Sequence, residues 1–156
     1  MTARLLCALL LLGGAARAYA DPCHIDIESN DAMQYNTRAL VVPGSCAEVE
    51  VSLRHTGHMA AKVMGHDWVL ARDGDMSAIV NAGLAAGFSN GYLPANDKRI
   101  LAATRIVGGG ESVTVRFSTA ALQPATRYVF FCTSPGHSTV MRGTFQFGET
   151  RLARNP

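Results

Sequence analysis

The sequence predicts an all-β domain, an eight-stranded sandwich or barrel with Greek-key connections and one short helix outside the sheets. Three observations favour this class: apolar residues recur mainly with a period of two, turn sequences separate the apolar runs, and one long segment breaks the pattern. The 156 residues, 48% hydrophobic and 17% charged, fit one core of usual domain size.

The predicted strands are short apolar runs bounded by turn chemistry. Ile25 and Ile27 alternate with polar residues, and so do Val49, Val51 and Leu53 before His55. Further strand-like runs lie at 39–42, 63–70, 100–107, 113–117, 127–132 and 140–147. The turns between them include Pro43-Gly44, Thr56-Gly57, Gly108-Gly109-Gly110 and Ser134-Pro135-Gly136.

One helix is expected within the long connection from Leu70 to Ile100. Asp75 is a candidate N-cap for a helix that begins at Met76, and Gly87 is a natural stop. The expected apolar stripe consists of Ile79, Val80, Leu84 and Ala85.

Both ends of the chain differ from the predicted domain, residues 21–148. Residues 1–20 have the order of a cleaved signal peptide: Arg4, an apolar run over 5–12, and Ala18-Tyr19-Ala20 as the cleavage site. This predicts export to the periplasm, and no apolar run reaches the length of a membrane span. Residues 149–156 are polar and are expected to form a flexible tail.

Cleavage changes the charge balance and the cysteine count. Loss of Arg4 and Arg17 leaves 12 basic and 12 acidic residues, and a neutral protein argues against nucleic-acid binding. Cys7 also leaves, so three cysteines remain, which implies one disulfide and one other thiol. Cys23 and Cys46 flank strand-like segments near the N-terminus and are predicted to pair.

The remaining cysteine lies in a cluster of metal-ligating residue types. Cys132, His137 and Met141 lie within ten residues around a Pro-Gly turn, so one loop presents a thiolate, an imidazole and a thioether. His66 would add a second imidazole. Two imidazoles, one thiolate and a weak thioether are the ligands of an electron-transfer copper site.

The chain resembles the azurins, bacterial periplasmic blue-copper proteins of the cupredoxin family, from about Cys23 to Phe147. The segments that carry the resemblance are Asn30-Asp31, Met33-Gln34, Val63-Met64-Gly65-His66, Trp68-Val69-Leu70, Phe130-Phe131-Cys132-Thr133 and Pro135-Gly136-His137-Ser138. The resemblance implies a trigonal copper site of His66, Cys132 and His137, with Met141 and the Gly65 carbonyl as weak axial neighbours. It also implies the Cys23–Cys46 disulfide and one-electron transfer through one copper ion, Cu(I)/Cu(II), with no substrate turned over.

The resemblance further implies an apolar docking surface around the exposed edge of His137. Its expected members are Met33, Met59, Met64, Leu84, Pro135, Gly136, Thr139 and Val140. Expected partners are redox proteins such as cytochromes, a nitrite reductase or dehydrogenases, which bind briefly to a monomer.

Three further residues are expected to adjoin the metal ligands. His55 continues an inward-facing alternation and is expected to be a core residue that does not bind the metal. Asp67 replaces the asparagine that is typical of the family, so the residue either loses one donor bond or is protonated. Ser134 replaces a bulky aromatic residue, which admits polarity or water near the copper, and the sequence leaves open the direction in which Asp67 and Ser134 together shift the reduction potential.

Three other interpretations of the cysteine remain. Cys132 is an inert buried thiol, a nucleophile activated by His137 or His66, or a ligand in a copper storage or delivery protein. The missing signature around a nucleophile argues against an enzyme. The tight ligand loop argues against delivery.

Overall fold

The computed structural model describes residue 21 and residues 23–148, which form two packed β-sheets. The strands of this part of the chain are β1 (His24–Asn30), β2 (Gln34–Tyr35), β3 (Ala39–Val42), β4 (Glu48–His55), β5 (Val69–Arg72), β6 (Ile100–Ala103), β7 (Ser112–Ser118), β8 (Tyr128–Phe131) and β9 (Arg142–Phe147). The sheet orders are β2-β1-β4-β7 and β3-β9-β8-β5-β6. The pairs β1/β4 and β3/β9 are parallel, and the other pairs are antiparallel. The predicted sandwich is confirmed, with the two-residue β2 as an additional strand.

The positions of the two sheets explain why some strands alternate and others are apolar throughout. Strand β4 buries Val49, Val51 and Leu53 on its inner face and exposes its outer face more to solvent. Strands β5 and β8 are buried on both faces, because a helix covers the outer side of the five-stranded sheet. The inner core is aromatic and includes Trp68, Phe117, Phe130 and Phe145.

The covering helix is α2 (Met76–Ala86), and its bounds confirm the prediction. Ile79 packs with β5 and β8, and Gly87 ends the helix at φ 73°. Two details of the prediction were wrong. The Asp75 side chain makes no capping hydrogen bond, because a 3₁₀ turn over Asp73–Asp75 already holds that residue in a helical conformation. Leu84 is 47% exposed and Ala85 is exposed too, so neither belongs to the buried stripe.

The predicted strand over 63–70 was also wrong in its first half. The helix α1 (Ala61–Met64) comes first, and β5 begins only at Val69. Between them, His66 forms an isolated bridge with Val107, and the predicted strand over 100–107 is a strand only as far as Ala103. An apolar run without alternation does not distinguish a short helix from a buried strand.

The predicted disulfide forms and links the start of β1 to the turn before β4. The Cys23 and Cys46 sulfurs are bonded, and Cys132 is the free cysteine among the described residues. The predicted signal peptide and tail lie outside the described residues, so they stay predictions. Within the part of the chain that the structure describes, no helix combines the length and apolar character needed to cross a membrane.

Candidate metal centre

Three buried side chains meet at one end of the sandwich, where β8 and β9 are connected. Cys132 and His137 belong to the connecting loop, residues 132–141. His66 comes from the segment between α1 and β5, and two backbone hydrogen bonds with Val107, of 3.0 and 2.8 Å, fix its position. The loop turns sharply at Gly136, whose φ of 80° favours glycine.

The ligand atoms of these side chains point at one another. The Nδ1 atoms of His66 and His137 are 3.2 Å apart. The Cys132 Sγ lies 3.9 Å from Nδ1 of His66 and 3.7 Å from Nδ1 of His137. His66 and Cys132 are fully buried, whereas His137 remains 8% exposed. The loop and the distant segment thus produce one compact three-atom group.

The surroundings keep both imidazoles neutral and fix one tautomer. His66 Nε2 lies 2.8 Å from the Asn30 carbonyl, so its N–H donates there and the Nδ1 lone pair faces the group. Burial lowers the pKa of His66 to about 4 and also lowers the pKa of His137. Burial raises the pKa of the Cys132 thiol well above its usual range, so this thiol must release a proton to bind a metal.

The donor set fits one metal ion. Metal–nitrogen bonds of about 2.0 Å and metal–sulfur bonds of about 2.3 Å allow one ion to join nitrogens up to about 4.0 Å apart and a nitrogen and a sulfur up to about 4.3 Å apart. The observed separations of 3.2, 3.7 and 3.9 Å lie within these limits. Two imidazoles with one soft thiolate favour copper.

The two predicted axial groups lie on the same segments. Met141 is fully buried, its N–H donates to the His137 carbonyl at 2.7 Å, and its own carbonyl accepts from the Cys132 N–H at 3.0 Å. Gly65 is buried beside His66, and a side chain there would lie 2.3 Å from the Ala61 carbonyl oxygen. The axial roles of both residues stay predictions.

Asp67 links the two ligand segments. Its Oδ1 accepts from the Thr133 N–H at 2.7 Å, and its Oδ2 accepts from the Thr133 hydroxyl at 2.5 Å. Burial raises the pKa of Asp67 to about 6. The carboxyl group connects the two segments by accepting two hydrogen bonds from Thr133. The sequence analysis did not assign Thr133 to the site. Tyr35 adds a hydrogen bond from its hydroxyl to the Asp67 backbone carbonyl.

His55 lies against the group without being a ligand in this arrangement. Its ring stacks on His66 with centroids 4.7 Å apart. Its Nδ1 accepts from the Gly57 N–H at 3.0 Å, and its Nε2 lies 2.8 Å from the Met64 carbonyl. Both ring nitrogens are thus bonded to the backbone, in agreement with the expected core role.

Several of the predicted docking residues are exposed. Met33, Met59, Leu84 and Val140 are 36%, 44%, 47% and 45% exposed, and Pro135, Gly136 and Thr139 are exposed as well. Met64, the last residue of the short helix α1, is only half-buried. Val63 in the same helix is 69% exposed, whereas the sequence predicted it within a strand.

A family model for copper binding proteins of the plastocyanin/azurin family matches residues 21–148. The chain belongs to this family. An azurin from Achromobacter denitrificans is 41% identical over 146 residues, which cover 94% of this chain and 98% of the relative. An azurin from Pseudomonas aeruginosa is 42% identical over 144 residues, covering 92% and 97%.

A solved azurin-family structure has the same architecture. The azurin iso-2 of Methylomonas sp. strain J superposes with a TM-score of 0.79 at 43% identity, covering 81% of this chain and 98% of that chain. Membership of the plastocyanin/azurin family confirms the resemblance inferred from the sequence, and copper is the metal of that family.

Proposed function

We propose that this protein carries single electrons by means of one copper ion held by His66, Cys132, His137 and Met141, with the Gly65 carbonyl as a weak neighbour. The observation that supports this most directly is the convergence of two neutral imidazoles and a buried thiol, all within 4.8 Å of one another. When bound, the copper supplies a Cu(I)/Cu(II) couple. Nothing in this function requires a substrate.

The chain's own contribution is a donor set that moves little. His66 is held by its backbone bridge and by the Asn30 carbonyl, and Asp67 joins its segment to Thr133 beside Cys132. Because these contacts fix the ligands before any metal binds, the site needs little rearrangement between oxidation states. Burial excludes water from the thiolate.

The route for electrons is proposed to pass through the edge of His137. It is the one member of the three-residue group with measurable exposure, at 8%. The proposed collar around this edge consists of half-buried Met64 and seven exposed residues. The exposed members are Met33, Met59, Leu84, Pro135, Gly136, Thr139 and Val140. A small apolar face of this kind suits brief docking of a monomer to a redox protein, such as a cytochrome, a nitrite reductase or a dehydrogenase.

The periplasm is the proposed location. The sequence of residues 1–20 is that of a secretory signal, and the Cys23–Cys46 disulfide suits an oxidising compartment. Removal of the signal would leave a protein of zero formal charge, so long-range steering of partners would be weak.

The burial of Cys132 disfavours the two other functions considered for it. A nucleophile needs access to a substrate and a lowered pKa, whereas this thiol is fully buried and burial raises its pKa. A delivery protein must release its ion, which a closed site with fixed ligands opposes.

The decisive experiment replaces the thiolate. The copper-loaded protein is expected to be intensely blue, and Cys132→Ser is expected to remove that band, because an alkoxide does not replace a copper–thiolate bond. Met141→Leu is the matched control: it changes another buried residue of the same loop and should keep the colour, since the axial bond is weak. Visible absorption after loading with Cu(II) measures both.

A persistent intense band in Cys132→Ser would remove Cys132 from the ligand set. A parent protein that binds copper without colour would instead favour storage or delivery.

A further inference from the structure

The Ser134 side chain forms a buried contact between the two ligand segments. Its hydroxyl donates a hydrogen bond of 2.6 Å to the carbonyl oxygen of Gly65, and only 6% of the residue is exposed. Ser134 follows Cys132 by two residues, and Gly65 directly precedes His66. The contact therefore joins the segment that carries the thiol to the segment that carries one of the imidazoles.

The proposed function makes the Gly65 carbonyl oxygen a weak neighbour of the copper, and the Ser134 hydroxyl is bonded to this oxygen. Among the hydrogen bonds of the described residues, the one from Ser134 is the bond that the Gly65 carbonyl accepts. The hydrogen bond directs the positive end of the O–H dipole at that oxygen, which weakens the oxygen as an electron-pair donor to a metal ion. The Gly65 position is closely packed, since a Cβ there would lie 2.3 Å from the Ala61 carbonyl oxygen and 2.5 Å from the Ile106 side chain.

We propose that Ser134 is a positioning residue that raises the reduction potential of the copper centre by donating its hydroxyl hydrogen to the Gly65 carbonyl. The inference rests on the proposed function. Oxygen donors are hard and favour the divalent ion over the monovalent one, so a weakened oxygen favours the reduced state. A positive dipole end in a buried site acts in the same direction, since it repels the higher charge more.

The direction in which Ser134 shifts the reduction potential does not depend on which acceptor its hydroxyl uses. The Cys132 sulfur, two residues away in the same loop, is the other acceptor considered for this hydroxyl. Donation to the thiolate would withdraw electron density from the strongest donor, which again favours the reduced ion. Both acceptors thus lead to a higher potential.

The test measures the reduction potential of copper-loaded variants by spectroelectrochemistry. Ser134→Ala removes the donor and is expected to shift the equilibrium about threefold to tenfold toward the oxidised ion, the range expected for one hydrogen bond. For a one-electron couple this lowers the potential by about 30 to 60 mV. Ser134→Thr and Ser134→Val form a pair of similar shape, and the hydroxyl-bearing threonine variant should have the higher potential.

Ser138→Ala is the matched control, because Ser138 is a buried serine of the same loop that lines the cleft beside α2. Its potential should stay at that of the parent. An unchanged or raised potential in Ser134→Ala, or equal potentials in the threonine and valine variants, would overturn the inference. Failure of the proposed function would appear differently, as a parent protein without the blue band.

Discussion

Val140 tests, at the scale of one residue, whether electrons leave through the collar. It is 45% exposed and follows His137 by three residues, and its N–H donates to the His137 carbonyl at 3.0 Å. Val140→Glu keeps that backbone bond but adds a charge that must lose water whenever a partner docks. Electron self-exchange, measured by NMR line broadening, is expected to slow at least about tenfold, with the visible spectrum nearly unchanged.

Val41→Glu is the matched control for this substitution. Val41 is an exposed valine at 67%, and it pairs with Gln146 near the far end of β9, away from the ligand loop. The control should exchange at the parental rate. Equal rates for Val140→Glu and the parent would mean that electrons enter elsewhere, and equal slowing in both variants would indicate a general effect of charge.

At this scale the sequence indicated the ligands better than their surroundings. The spacing of Cys132, His137 and Met141 shows that one loop carries three donors, whatever the fold around it. The contacts of Ser134 with Gly65 and of Thr133 with Asp67 join residues 69 and 66 positions apart, and only the packed fold brings them together. Neither contact follows from the resemblance either, because the sequence analysis took Ser134 and Asp67 as departures from the pattern that the resemblance implies.

At the scale of elements, prediction succeeded where a segment has one solvent-exposed face. Strand β4 alternates clearly and α2 has a glycine stop, so both were located well. The helix α1 was missed because four residues are too few to show a helical period, and its apolar residues run directly into β5. The two-residue β2 carries no period at all.

The close packing of α2 against Tyr92 gives a prediction about Gly83. This residue is buried, and a Cβ there would lie 2.1 Å from the Tyr92 carbonyl oxygen, which is backbone and cannot yield easily. Gly83→Ala is expected to lower the free energy of unfolding by about 1 to 3 kcal/mol, although alanine favours helices. Urea unfolding measures the loss, and the blue spectrum should stay unchanged.

Gly74→Ala provides the comparison, since a Cβ at that position meets nothing within 4 Å. Its stability should equal or slightly exceed that of the parent. A Gly83→Ala protein as stable as the Gly74→Ala protein would show that the helix is free to shift away from Tyr92.

At the scale of the whole molecule, the disulfide and the metal centre are expected to act separately. The disulfide closes a segment of 23 residues at the start of β1, whereas Asn30, which orients His66, is at the other end of that strand. Replacing both Cys23 and Cys46 by serine should cost about 3 kcal/mol of stability through the freer unfolded chain. The reduction potential should not change, and a shifted potential would reveal coupling along β1.

Trp68 reports on the packing of both sheets together. It is the single tryptophan of the chain, it is fully buried, and its ring lies 6.1 Å from Phe117 of β7, 6.2 Å from Phe130 of β8 and 6.5 Å from Phe145 of β9. Its Nε1 is the one fully buried side-chain nitrogen or oxygen without a hydrogen-bond partner among the described residues.

An indole in such apolar surroundings has no nearby water to relax around its excited state. The metal-free folded protein should therefore emit at clearly shorter wavelength than the same protein unfolded in urea. Because Trp68 contacts both sheets, the shift should coincide with loss of the β-sheet circular dichroism signal, as expected for one cooperative transition. Folded-state emission at the unfolded wavelength would mean that water reaches Nε1, and a shift that precedes the loss of β-structure would mean that the sheets separate before they unfold.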